Sequence, residues 1–315
     1  MSRRFRSPRL LQTTPGKIGC AILLFALVTA LLGPIVAPRG ITTVVAVPGA
    51  PPSPSLPLGA DYLGRDVLSR LLHGGLSVIW IGGAATLLAY LVGATVGLVA
   101  GYRRSLVDPL LMRSVDVLIA FPALLVLLLL VAGLGSQIWV LVVGVALVQV
   151  PPISRIVRAA TLEASTHGYV EAAEGRGEST PQILLREVLP NVAPVVLADF
   201  GIRFGFSIIL IASVNYLGLG LNPPAADWGL MIAENQQYIS LNVWSVLAPA
   251  IMLALLTIGV NLIADTYIQT LGRSSIAARP RRSLRSSRPP GLAERVPASA
   301  PGEPPGTIDN NEGGH

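Results

Sequence analysis

The chain has 315 residues, 52% hydrophobic and only 13% charged, with a net charge of +6 and a mean hydropathy of +0.64. These values exclude an ordinary soluble domain and place the chain among membrane proteins. A single cysteine, Cys20, excludes a disulfide framework.

Six apolar windows have spanning length: 18–37, 78–100, 115–134, 138–157, 192–218 and 247–267. All are predicted as α-helices, because lipid offers no partner for backbone polar groups and the runs lack the two-residue alternation of barrel strands. The expected fold class is all-α, with six transmembrane helices.

Residues 1–17 form a basic N-terminal segment ahead of the first window. A signal peptide is the alternative there, but the run exceeds an h-region of about 7 to 15 residues and no small-x-small cleavage site follows convincingly. A lipoprotein reading of "KIGC" fails because the apolar stretch comes after Cys20. Residues 38–77 are expected on the outer side, with 48–57 extended. There 66–72 sets Val67, Leu68, Leu71 and Leu72 on one side, as an amphipathic helix lying flat on the membrane. In the second window Gly93, Gly97 and Gly101 repeat at four-residue spacing, a packing signal. Pro122 in the third window and Pro151-Pro152 in the fourth are expected to bend their helices.

Orientation follows from the cations. Arg3, Arg4, Arg6, Arg9, Lys17, Arg103, Arg104, Arg113, Arg155, Arg158, Arg176, Arg186 and seven tail arginines fall on one side, against Arg39, Arg65 and Arg70 on the other. The positive-inside rule reads both termini as cytoplasmic, in a plasma (inner) membrane. Trp80, Trp139 and Trp244 sit at the predicted outer helix ends and Trp228 in the last outer loop, consistent with interfacial indoles. The net positive charge is thus read as topology and contact with anionic membrane lipids, with no nucleic-acid partner.

Between the fourth and fifth windows lies a polar passage, "EAAEGRGESTPQILLREVLPN", residues 171–191. It reads as two short helices on the cytoplasmic side. Gly168 ends what precedes, Glu171, Ala172 and Ala173 favour helix, and Gly177 offers a stop. Ser179 or Thr180 then caps a second helix with Pro181 in its first turn. There Leu184, Leu185, Val188 and Leu189 form an apolar stripe closed by Pro190. A helix with two alanines and a glycine lets another protein approach its backbone closely, which makes it a docking knob or, equally on physical grounds, a solvated loop. In the fifth window Asp199 and Arg203 are four residues apart and can pair on one helix face within the membrane. After Arg273 the composition turns to Arg, Pro, Ser and Gly, predicting disorder over 273–315.

The passage "YVEAAEGRGESTPQILLREVLPN" resembles the EAA loop of ABC-importer permeases, with Glu171, Ala172, Ala173, Gly177, Leu189 and Pro190 in register. It departs from that pattern at Glu187, where an apolar residue is usual, and in the charges of Glu174 and Arg176. "LGADYLGRDVLSRLLHGG", "GYRRSLVDPLLMRSVDVLIAFPALL" and "YLGLGLNPPAADWGLMI" are similar to the C-type permease subunit of dipeptide and oligopeptide importers, and the likeness runs over about 57–273. The resemblance implies a type I importer fold with a five-helix core over 78–272 and a coupling loop at 163–191. It implies three kinds of partner: a homologous permease, two ATPase subunits and an extracytoplasmic solute-binding protein. It also implies that the EAA helix seats in an ATPase groove. Fifth-helix residues such as Ile211 and Asn215 are expected to line the translocation path, because they lie between that dock and the outer loop. The cargo would be a peptide, or alternatively nickel, glutathione or another small solute.

The chain carries no phosphate-binding loop, so ATP and Mg belong to partner subunits and this chain itself is expected to hold no cofactor and no metal. His73, His167 and His315 are scattered, no catalytic constellation is evident, and an enzyme such as an intramembrane protease is disfavoured. The rival of a different class is an ion-coupled secondary transporter or channel, for which Asp116, Gln149, Asp199, Arg203, Asn215, Asn261 and Asp265 are the polar candidates.

Overall fold

The computed structural model describes residues 13–277. The basic residues before Thr13 and the tail beyond Ala277 lie outside the described residues. The described chain is all-helical: α1 (Thr14–Val36), α2 (Val67–Tyr102), α3 (Val107–Ile119), α4 (Ala123–Leu134), α5 (Ile138–Ala164), α6 (Gly168–Gly175), α7 (Thr180–Ile183), α8 (Leu189–Tyr216), α9 (Trp228–Asn235) and α10 (Trp244–Ala277). Five helices are long and apolar enough to cross a membrane, and α3 with α4 makes a sixth if the bent pair counts as one span.

α1 buries only small side chains, Gly16, Gly19, Ala26, Ala30 and Gly33, while Leu24, Phe25, Leu31 and Leu32 face outward. It is therefore a peripheral helix that approaches α10 and α2 backbone to backbone. The Gly93, Gly97 and Gly101 face of α2 meets α5: a Cβ at Gly97 would stand 2.7 Å from the Ser154 carbonyl oxygen and from Val157 Cβ. α5 runs through Pro151 and Pro152 as one helix. The third span, by contrast, breaks by 81° between α3 and α4, since Pro122 lacks an N–H and pushes Phe121 out of the α region.

α7 passes into a π turn, Leu184–Val188, and then directly into α8. Pro190 thus does not close the helix as expected. The Leu189 N–H bonds the Leu184 carbonyl five residues back, and this widened turn relieves the clash a proline ring makes with the carbonyl four residues before it. The α10 helix extends to Ala277, past the expected span end at 267 and over 273–277, where disorder is expected from the composition.

Residues 38–66 and α9 form a cap over one end of the bundle. Here the structure departs from two expectations. Residues 66–72 are not a separate surface helix but the start of α2, capped by Asp66 and buried through Val67, Ser69, Arg70 and Leu71. The 48–57 connection is not extended either: Ser53 and Leu56 exchange backbone hydrogen bonds in a tight turn. Trp228 is fully buried rather than interfacial, its Nε1–H donating to the Leu71 carbonyl at 2.9 Å, whereas Trp80, Trp139 and Trp244 are exposed.

Candidate coupling loop and intramembrane polar site

The EAA segment sits at the bundle end opposite the cap. Gly168 begins α6 rather than ending the preceding helix, which stops at Ala164. Val170 and Ala173 point inward and join Ile183, Leu184 and Val188 in a core shared with Leu98 of α2 and Ile153 and Val157 of α5. Glu171, Ala172, Glu174 and Gly175 point outward, so the small-residue face is the exposed one. Of the expected apolar stripe on the second helix, Leu184 and Val188 are buried and Leu185 is exposed.

The turn after α6 explains Gly177. The Glu178 N–H bonds the Ala173 carbonyl at 3.2 Å and the Gly177 N–H bonds Glu174 at 2.9 Å, a Schellman closure that requires a left-handed residue at 177. Gly177 supplies it with φ +76°, and no atom stands within 4 Å of where its Cβ would lie. Ser179 then opens α7 in a capping box with Gln182. Polar contacts complete the loop: Tyr102 Oη donates to Glu174 at 2.7 Å, and Arg176 pairs with Glu178 at 2.6 Å and more loosely with Glu187 at 3.8 Å. Burial, then the Glu187 carboxylate, pushes the Tyr169 phenol up.

Within the spans, Arg203 Nε stands 3.3 Å from Asp199 Oδ2, and Tyr90 of α2 donates to the same oxygen at 2.6 Å. One turn further, Ser207 accepts from Gln149 Nε2 at 2.5 Å and bonds Thr86 at 2.7 Å. These groups bridge α2, α5 and α8. Asp116 pairs with Arg155 at 2.6 Å, and Asp265 is exposed.

Ile211 and Asn215 are fully buried in the chain, which leaves neither side chain a surface to offer a path. Asn215 Nδ2 donates to Asp227 at 2.8 Å and its Oδ1 accepts the Leu221 N–H at 2.8 Å, so it organises the 217–227 loop. Asp227 also accepts from Ser77 at 2.9 Å, and burial raises its carboxyl above the ordinary range.

Sequence reasoning missed the ion cluster in the cap. Asp61 accepts the Leu63 and Arg65 N–H groups and pairs with Arg65 Nε at 2.6 Å, while Glu234 of α9 holds Arg70 at 2.8 Å and Arg65 at 3.3 Å. Arg39 reaches Asp66 at 3.3 Å. Burial raises the Glu234 carboxyl above its usual range, against the opposing pull of Arg70 and Arg65. The four-residue spacing of Asp61 and Arg65 was a local signal, but nothing local to them announces Glu234.

Residues 93–273 match the family model described as a binding-protein-dependent transport system inner membrane component. The chain is 33% identical over 258 residues, 82% of its length and 87% of the relative's, to a putative peptide transport system permease protein of Brucella suis. It is 36% identical over 214 residues, 68% and 71% of the two lengths, to a glutathione transport system permease protein of Pectobacterium atrosepticum. A di/tripeptide transport system permease protein of Pseudomonas aeruginosa is 35% identical over 208 residues, 66% and 69% of the two lengths.

Proposed function

The chain belongs to the family of binding-protein-dependent transport system inner membrane components, the membrane-spanning permeases of ABC importers, and from that premise we propose that its cargo is a short peptide. The relatives named for peptide, di/tripeptide and glutathione transport support a peptide-like solute. In this reading the bent α3–α4 pair counts as one of six spans, both termini are cytoplasmic, and the cap faces the outer side to receive a solute-binding protein. A homologous permease completes the path, and two ATPase subunits bind ATP and Mg.

The observation that carries the coupling role is the construction of the EAA segment. α6 is anchored inward by Val170 and Ala173 and turns its alanine and glycine face outward, and after the Gly177 turn α7 continues through the π turn into α8 without a loop. A push on α6 by a closing ATPase therefore reaches the fifth span through the core that Val170 and Ala173 share with Ile183, Leu184 and Val188 of the helix leading into α8, with Glu171, Ala172, Gly177, Leu189 and Pro190 as parts of the joint. The path wall moves in this reading from buried Ile211 and Asn215 to outward residues of the same helix. Ile209 and Ser213 line a cavity of about 590 Å³ there.

The test is ATP-driven uptake by the co-purified complex in proteoliposomes, comparing dipeptide, glutathione and nickel delivered by the cognate binding protein. Dipeptide uptake is expected, with Glu171→Arg abolishing uptake while the complex still assembles. Uptake that follows an ion gradient with no ATPase subunit co-purifying sinks the importer reading in favour of a secondary transporter.

A further inference from the structure

A second cavity, of about 640 Å³, opens beside the break in the third span. Its walls are formed by Ile119, Phe121, Pro122 and further apolar side chains of α3, α4, α5 and α8, and among the described residues the polar ones lining it are Arg155 and Arg203. Arg203 lies midway along the Leu189–Tyr216 helix, about 20 Å from either end at about 1.5 Å per residue. Arg155 lies toward the inner end of the 138–157 span, where it is half-exposed beside Asp116. A guanidinium at the depth of Arg203 is costly unless a ligand or water-filled cavity accounts for it.

Their carboxylate partners account for only part of their capacity. Among the described residues, Arg203 is held through Nε by Asp199, and Arg155 through Nη2 by Asp116. A guanidinium has five N–H donors, so both retain free donors. Asp199 is itself shared with Tyr90, which fixes the Arg203 stem while leaving its terminal nitrogens uncommitted.

We propose that this cavity is a transit site for the C-terminal carboxylate of a peptide, with Arg203 and Arg155 as the recognising groups and the apolar walls taking the side chains. The inference rests on the peptide-importer reading. A zwitterionic peptide crossing the midplane needs its carboxylate matched by fixed donors, and guanidinium does this bidentately. A lipid phosphate is the other anion in a membrane, but headgroups lie about 15 Å from the midplane, out of reach of Arg203, which favours the cargo. The break at Pro122 places a joint between two helices against the same cavity, so closure of the bent span would change the room available to the bound group.

The test uses the purified permease–ATPase complex without its binding protein, carrying Cys20→Ser and a reporter thiol at Ala123→Cys on the cavity wall. Dialanine is expected to slow modification of that thiol by a charged thiol reagent, and its C-terminal amide is not. In Arg203→Gln the dialanine concentration giving half-protection should rise about tenfold, the loss expected for one charge-assisted contact, with Arg203→Lys falling between. Equal protection by dialanine and its amide, or protection unchanged in Arg203→Gln, overturns the site. If the reporter thiol is silent, the site is judged by uptake: dialanine uptake falls about tenfold in Arg203→Gln while ATP hydrolysis stimulated by loaded binding protein persists. Loss of both, or of neither, overturns it. ATP-driven dialanine uptake by the unaltered complex is measured separately; its absence, with protection intact, removes the importer reading and leaves the site standing.

Discussion

The two ends of the bundle solve opposite problems with the same helices. At the cap, charge is buried and locked: Asp61, Arg65, Arg70 and Glu234 are nearly inaccessible and tie the 38–66 connection, α2 and α9 into one piece. At the EAA end, charge is exposed, and only small or aliphatic residues such as Val170 and Ala173 point into the core. Buried ion pairs fix geometry because removing one partner strands the other without water. Surface pairs such as Arg176 with Glu178 contribute little and give way easily. The cap is thus a rigid platform, and the EAA end a surface free to meet another protein.

The largest expected effect comes from breaking the cap's lock. Arg70→Met leaves Arg65 as the one buried cation facing both Asp61 and Glu234 among the described residues and should cost about 3 to 5 kcal/mol, read as a lower thermal midpoint and poor yield of folded protein in detergent. Unchanged stability would show that water reaches the cluster and that the cap is no stiffer than the EAA end.

Next in size is Gly64→Ala. A Cβ there would stand 2.0 Å from the Ala46 carbonyl oxygen with φ at +80°, so both space and backbone oppose it, at about 1 to 3 kcal/mol. The matching change at the other end, Gly177→Val, sets a Cβ where no atom stands within 4 Å. Only the left-handed backbone opposes it, at about 1 to 2 kcal/mol. The contrast sharpens if Gly177→Val keeps assembly and thermal stability close to the parent while ATP hydrolysis no longer drives uptake. Equal destabilisation by the two glycine changes would erase it.

The smallest effect is pH dependence. Burial raises the Glu234 carboxyl above 4.5, so the folded cap binds that proton more readily than the unfolded chain does. Stability should therefore rise as pH falls through the raised value and level off below the ordinary one, the reverse of a salt-bridged carboxylate with a lowered value. Hydrogen exchange of the cap amides between pH 7 and pH 5 measures the slope, and Glu234→Gln should flatten it. At the EAA end the raised Tyr169 phenol acts only in alkali, where stability falls as pH rises through 10.

Hydrophobic runs and their glycine and proline punctuation determined much of this protein before any fold was known. Spanning helices follow from run length because the bilayer leaves the backbone no other partner. The Gly93–Gly101 ridge announced close packing, Pro122 a break, and Gly177 a left-handed turn, because each is a local property of one residue type. Pro190 shows where local reading ends: a widened π turn upstream lets the helix continue past a residue that ordinarily stops it. The tertiary structure alone decided which polar groups meet. Glu234 reaches Arg65 and Arg70 across more than 160 positions, Tyr90 finds Asp199, and Arg155 joins Arg203 on one cavity. Asn215, which by order along the chain sat between dock and outer loop, is turned inward to hold Asp227. A sequence fixes the facing of a residue on its own helix through the 3.6-residue period. Which neighbour that face meets depends on how the helices pack together.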